Sequence, residues 1–250
     1  MTMSSLAGSV AVVTGASRGL GRALALALAR EGVALAICAR GADELGSVAA
    51  EARAAGVEVE AVPADMRNPR DIERLVVVTM ERFGRVDILV NNASELGPTP
   101  LPLLADYPPD LFSEVLTVNL HAPFRLTQSL IGQMLTRGSG TVVNISSDVA
   151  VNGYPNWGAY SVSKAALDGM TRTWAAELEG TGVRMYAVDP GDMNTAMHRA
   201  ALPDDAVEGL ADPVDVAGSL LALVRGDFVP GAVRLEAADV APGAPRVVGV

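Results

Sequence analysis

Short apolar runs of strand length alternate along this chain with longer stretches of helical character, beginning close to the first residue. Residues 10–14, Val-Ala-Val-Val-Thr, read as a buried strand. A glycine-rich turn follows, then residues 20–30, whose alanine and leucine content favours helix, with Gly32 as the stop. Residues 33–39 predict the next strand, 43–55 the next helix and 57–62 a third strand, after which Asn68 and Pro69 open another helix. Further buried strands are expected at 87–90, 140–145 and 183–188, with helices between them at about 110–136 and 159–179. Alternation at this spacing predicts an α/β fold, a doubly wound parallel sheet of Rossmann-like type with helices on both faces. No repeat, low-complexity tract or polar linker divides the chain, so one domain over residues 1–250 is expected. Pro98, Pro100 and Pro102 punctuate one long loop, residues 190–205 read as a second irregular stretch, and 237–250, with Pro242 and Pro245, match no element.

Composition narrows the function classes. Half of the 250 residues are apolar and 19% are charged, enough to bury a core and too apolar for general disorder. The formal net charge of −10 and a pI of about 4.7 argue against nucleic acid or an anionic membrane surface as partner. Cys38 is the only cysteine, which excludes an intrachain disulfide and a cysteine zinc cluster and fits a reducing cytoplasm. Serines, threonines and glycines interrupt the uncharged first 17 residues, so neither a spanning helix nor an export signal is expected. His121 and His198 stand apart without a carboxylate cluster, and no metal is expected.

The candidate chemistry starts at Thr14-Gly15-Ala16-Ser17-Arg18-Gly19-Leu20-Gly21, between the first strand and the first helix. Glycines let the backbone turn sharply and approach a ligand, and the helix start offers unpaired N–H groups to a pyrophosphate. The second strand ends Cys38-Ala39-Arg40, with no carboxylate to bind the adenosine ribose, whereas Arg18 and Arg40 both suit a 2′-phosphate. NADP is therefore expected rather than NAD. Asp65, at the end of the third strand, is either an acceptor for the adenine amino group or a helix cap. Tyr160 and Lys164 lie four positions apart on a predicted helix, so phenol and ammonium share a face, and the positive charge is expected to lower the phenol pKa toward neutrality. Ser147 follows the 140–145 strand at its carboxyl end, where open α/β sheets bind ligands.

Taken in order, the glycine turn, Asn91-Asn92-Ala93, Asn119, Ser147, Tyr160, Lys164 and Pro190-Gly191 resemble the short-chain dehydrogenases/reductases over nearly the whole chain, from Val10 to about Glu236. The resemblance implies a sheet of about seven strands, with Tyr160 protonating a substrate carbonyl oxygen and Ser147 hydrogen-bonding the same atom. It implies that Lys164 lowers the Tyr160 pKa and holds the nicotinamide ribose, and that Asn119 kinks a long helix and anchors a water leading from Lys164 to solvent. It also extends the cofactor contacts to Ser17, Leu20, Met66, Asn92, Ala93, Pro190, Gly191 and Met193, and places Thr195 at the nicotinamide carboxamide. Ser94 stands where the family more often has glycine, implying a slightly altered backbone beside the cofactor. The segment 231–237 resembles the last strand without the usual Val-Asp-Gly-Gly ending.

Substrate selection is expected from Glu95, Asp148, Tyr154, Trp157, Met193 and Met197, a partly apolar wall suited to a small or medium ketone or aldehyde. Asp148 disfavours anions. The expected activity is a reversible NADPH-dependent carbonyl reductase, working as a homo-oligomer, tetramer or dimer by resemblance. A 3-oxoacyl carrier-protein reductase is the narrower alternative, opposed by Thr181, where such reductases tend to carry arginine, and by the negative charge. A non-catalytic NADP-binding module is the alternative of another class, opposed by the intact Asn119, Ser147, Tyr160 and Lys164.

Overall fold

The computed structural model describes residues 5–226 and 233–240. Its first half alternates β1 (Val10–Thr14), α1 (Gly19–Arg30), β2 (Ala34–Ala39), α2 (Ala42–Ala54), β3 (Val59–Pro63), α3 (Pro69–Phe83) and β4 (Ile88–Asn91). The second half contains α4 (Pro109–Leu116), α5 (Ala122–Arg137), β5 (Gly140–Ile145), α6 (Gly158–Glu177), β6 (Val183–Asp189), α7 (Ala196–Ala201), α8 (Pro213–Arg225) and β7 (Arg234–Glu236). All seven strands pair in parallel in the order β3-β2-β1-β4-β5-β6-β7. The chain is thus an α/β doubly wound sheet with helices on both faces.

The strand sequences read as unbroken apolar runs because both faces are covered. Ala11, Val13, Leu35 and Ile37 pack with Leu24 and Leu28 of α1 and Leu220 of α8. The alternate positions, Val12, Ala36 and Cys38, pack with Leu75 of α3 and Leu126 and Leu130 of α5. Local signals set the helix ends. The Asn68 side chain accepts from the Arg70 N–H at 3.1 Å, Pro69 follows it, and Gly84 closes α3 at φ 69°.

Three regions differ from the sequence expectation. The long helix expected near 110–136 is broken into α4 and α5 by a π-helical turn at Thr117–His121. Pro123 supplies a local cause, because it cannot donate to the Asn119 carbonyl four residues earlier and its ring crowds that oxygen. The irregular 190–205 stretch contains α7, capped by Thr195, and Met193 forms a bridge to Ala211. Helix α8 was not among the expected elements, although Asp212 caps it through the Val214 N–H at 2.8 Å and Gly226 ends it at φ 77°. Within the C-terminal segment β7 is present, followed by a 3-10 turn at Ala237–Val240, while Gly231, Ala232 and 241–250 lie outside the described residues.

Candidate active site

Strand order reverses between β1 and β4, and the crevice above their carboxyl ends is where a doubly wound sheet binds its ligand. The turn after β1 is built for close approach. Gly15 and Gly19 hold φ of 66° and 54°, and a Cβ on Gly15 would stand 2.9 Å from the Ala93 Cα. Thr14 Oγ1 accepts from the Asn92 and Ala93 N–H groups at 3.0 and 2.9 Å, and Asn92 Nδ2 donates to the Thr14 and Gly15 carbonyls at 2.8 and 3.2 Å. The turn is therefore braced against the β4 loop by the protein's own groups.

A cavity of about 510 Å³ opens over this turn. Of the expected cofactor residues it brings together Gly15, Ser17, Arg18, Gly19, Leu20, Arg40, Asp65, Met66, Asn92, Ala93, Tyr160, Lys164, Pro190, Met193 and Thr195. Its shape and polarity fit a dinucleotide. A Cβ on Gly19 would reach to 3.5 Å from Thr195 across the crevice, the first turn of α1 holds no acidic residue, and no side chain caps its N–H groups. Two expected residues fall elsewhere. Gly21 lies behind the turn, where a Cβ would be 2.3 Å from the Gly15 carbonyl oxygen, so its bare Cα serves packing of helix on turn. Gly191 borders a second hollow instead.

The adenosine end is more heavily paired than the sequence suggests. Arg40 Nη1 stands 3.5 Å from Glu95, and Glu95 lines the nucleotide cavity, not the substrate hollow expected for it. The reason is that the segment after β4 crosses toward the end of β2, the other neighbour of β1. The Asp65 carboxylate receives Arg67 Nη2 at 2.8 Å, and this guanidinium holds Asp65 below its ordinary pKa. Asn68 caps α3, which removes the capping alternative for Asp65.

At the inner end, Tyr160 and Lys164 project from one face of α6 into the cavity, both buried, with Lys164 Nζ 5.4 Å from the phenol ring centre. Lys164 Nζ donates to the Ile145 carbonyl at 2.7 Å. Burial dominates both groups in this state. It pushes the phenol up to about 12, with the Ser94 and Ser147 hydroxyls pulling back, and it brings the lysine down to about 8. The expectation that Lys164 draws the Tyr160 pKa toward neutrality is not met: burial raises the phenol, Asp189 and Asp148 add to the rise, and the groups that lower it are the Ser94 and Ser147 hydroxyls. Ser147 Oγ donates to Asp148 at 3.1 Å. Asn119 lies beneath the site, buried. Its Oδ1 accepts from the Glu95 N–H at 2.7 Å, and its Nδ2 donates to the Glu95 carbonyl and to Ser163 Oγ, both at 2.9 Å. Ser163 Oγ in turn donates to the Tyr160 carbonyl at 2.7 Å.

Tyr160 also borders a hollow of about 280 Å³ that contains Ser147 and, from the expected substrate set, Asp148, Tyr154, Trp157, Met193 and Met197. Leu96, Val149, His198, Ala201 and Leu202 also line it, from the same three segments of chain as the expected substrate residues, and Asp192 joins them. His198, in the sequence an isolated histidine, ties α7 to the following loop through Asp205 at 3.2 Å. The signal for Ser94 was present as a departure from glycine, but its effect is carried by the side chain: the hydroxyl bonds Asn119 Oδ1 at 3.2 Å and reaches the Tyr160 phenol.

The family described as short chain dehydrogenase matches residues 9–206. The chain belongs to the short-chain dehydrogenase/reductase family. A 3-oxoacyl-[acyl-carrier-protein] reductase of Synechocystis sp. is 36% identical over 249 residues, covering 99% of this chain and 95% of that protein. A solved short chain dehydrogenase from Salmonella enterica serovar Typhi superposes with TM-score 0.87 at 29% identity, covering 95% of this chain and 98% of the other. An alcohol dehydrogenase from Thermococcus sibiricus, complexed with 5-hydroxy-NADP, superposes with TM-score 0.79 at 33% identity over 91% and 94% of the two chains. The protein is accordingly an oxidoreductase of a family that uses a nicotinamide cofactor. Among the described residues no helix is long and apolar enough to cross a membrane.

Proposed function

We propose that this family member is an NADPH-dependent reductase of a ketone or aldehyde, reversible as an alcohol dehydrogenase. The observation that carries the reading is that Tyr160 stands at the junction of the nucleotide cavity and the second hollow, with Lys164 on the same helix face. When bound, the nicotinamide cofactor supplies the hydride. The chain's own residues manage the oxygen. The Tyr160 hydroxyl donates its proton to the substrate oxygen, and Ser147 Oγ, turned from Asp148, donates a second hydrogen bond, so charge developing there meets two donors in a desolvated cleft. Lys164 stabilises the phenolate left behind. Asn119 acts one step removed, holding the Ser94-Glu95 segment and, through Ser163, the backbone of Tyr160.

Preference for NADPH is supported by the absence of a carboxylate at Cys38-Ala39-Arg40 and by the placement of Arg18 and Arg40 on the cavity. The substrate hollow is walled by Leu96, Val149, Trp157, Met197 and Leu202, bears the carboxylates of Asp148 and Asp192, and has no lysine or arginine in its lining among the described residues. An uncharged substrate with an apolar body suits it, and anions are disfavoured. A 3-oxoacyl thioester is the second reading, favoured by the Synechocystis relative and opposed by Thr181 and the chain's net charge of −10. The reading takes the chain as one domain, working as a homodimer or homotetramer in the cytoplasm, with the lone buried Cys38 supporting a reducing compartment.

NADPH oxidation against a panel of ketones, aldehydes and 3-oxoacyl thioesters tests the assignment. Tyr160→Phe is expected to abolish turnover while leaving the NADPH fluorescence titration nearly unchanged; retained turnover overturns the proton donor. Silence across the whole panel with NADPH bound favours a non-catalytic module.

A further inference from the structure

We infer that Arg234, on the last strand, is a positioning residue of the active site, holding the Asp168 and Asp189 carboxylates and the Ser147 carbonyl so that Lys164 stays free of an acidic partner beside Tyr160. The inference rests on the reading of Ser147, Tyr160 and Lys164 given above.

The geometry begins on α6. Tyr160, Lys164 and Asp168 follow one another at intervals of four and so form a row along one helix face. A lysine and an aspartate so placed are natural partners, and Asp168 is 2% exposed, where an unpaired carboxylate is costly. Yet the ammonium donates to the Ile145 carbonyl, and Asp168 is claimed from elsewhere. Asp168 Oδ1 accepts from Ser146 Oγ at 2.6 Å, and Oδ2 accepts from Arg234 Nε at 3.0 Å. Arg234 Nη2 reaches further, donating to the Ser147 carbonyl at 3.1 Å and to Asp189 Oδ2 at 3.2 Å. Asp189 Oδ1 takes the Gly191 N–H at 3.0 Å. One planar guanidinium thus joins α6, the end of β5 and the end of β6, a task its fixed fork of donors suits better than a lysine would.

The charges around Lys164 come from several elements: Tyr160 and Asp168 from its own helix, Asp189 from β6, Arg234 from β7 and Asp148 from the turn after β5. Asp168 and Asp189 both favour the charged lysine, against burial. Without the guanidinium, Asp168 is released to the ammonium, and the lysine is drawn off the Tyr160 side into an ion pair. The Ser147 backbone loses its tether in the same step.

Lys164 is the only lysine in the chain; every other basic side chain that is not histidine is an arginine. Protein carrying carbon-13 lysine therefore yields a single side-chain resonance whose pH titration reads Lys164 with no assignment step and no need for turnover. The wild-type resonance is expected to titrate near pH 8. Arg234→Gln is expected to move it up by about one pH unit and Asp168→Asn to move it down. In parallel, Arg234→Gln is expected to lower kcat by about tenfold or more with the KM for NADPH nearly unchanged. The double variant Asp168→Asn/Arg234→Gln, which removes the released carboxylate, is expected to recover the part of that loss due to the Lys164–Asp168 ion pair and to keep the part due to the lost Ser147 and Asp189 contacts. A purely structural role would lower the melting temperature without moving the resonance in opposite directions in the two single variants. Unmoved titrations in both, or shifts of the same sign, overturn the inference. Should Arg234→Gln fail to fold, Arg234→Met is read in its place, and a Lys164 titration that does not move up in it overturns the inference. If wild-type protein reduces no carbonyl, the functional reading fails while the lysine titration still tests the charge arrangement.

Discussion

Glu95 and Arg40 show how a pair of side chains changes a cofactor argument. An arginine after β2 suits a 2′-phosphate, but here its guanidinium faces a carboxylate 3.5 Å away in the same cavity. On the proposed NADPH reading, the 2′-phosphate and Glu95 compete for one cation. Glu95→Gln is therefore expected to tighten NADPH binding by about two- to fivefold with little change for NADH, a surface-exposed charge contact being worth about 1 kcal/mol or less. Arg40→Ala is expected to weaken NADPH more than NADH. Fluorescence titration with the two cofactors measures both, and equal losses with Arg40→Ala reject the phosphate contact. The arginine was legible in the sequence because its position after a strand is a local fact. The glutamate opposite was not, because the loop that carries it arrives from β4, and its own position suggested the substrate side.

The π-helical turn at Thr117–His121 links an element's irregularity to the site. Asn119 sits in that turn at 1% exposure, and its amide joins Ser94, Glu95 and Ser163. Asn119→Leu keeps the branched outline but leaves these polar groups buried and unpaired. The expected cost is about 3 kcal/mol or more of stability, read by urea unfolding, together with a fall in kcat as the Ser163 link to Tyr160 is lost. Asn119→Asp, which keeps the Oδ1 acceptor for the Glu95 N–H, is expected to lose less stability. A Leu variant as stable and active as wild type would contradict the bracing role. A break near Asn119 was implied by family resemblance, and Pro123 provides its local chemistry. The partners of the amide depend on where α6 and the β4 loop pass, and no spacing encodes that.

For the whole molecule, the two buried groups of the site predict how stability varies with pH. Lys164 loses its proton near pH 8 when folded, against 10.5 when unfolded, so between those values the unfolded chain binds more protons and stability rises with pH. Tyr160 has the opposite sign. It keeps its proton to about 12 when folded, against 10 when unfolded, so above pH 10 stability falls. The urea midpoint is expected to climb from pH 7.5 to about pH 10 and then decline, and Lys164→Met is expected to remove the climb while leaving the decline. A Met variant with the wild-type climb would place its origin elsewhere.

The strands were readable because a parallel sheet covered on both faces demands apolar residues on both sides of each strand. The glycine turn and the Tyr160-Lys164 row were readable because both are local: a backbone conformation in one case, helix periodicity in the other. Helix α8 carries its own local start and stop in Asp212-Pro213 and Gly226. The contacts that tune the site are of a different kind. Arg234 meets Asp168 across 66 residues of chain, and Arg40 meets Glu95 across the strand reversal. Periodicity reports neighbours a few positions away, whereas these pairs exist only after the order of strands has brought separate loop ends to one edge of the sheet.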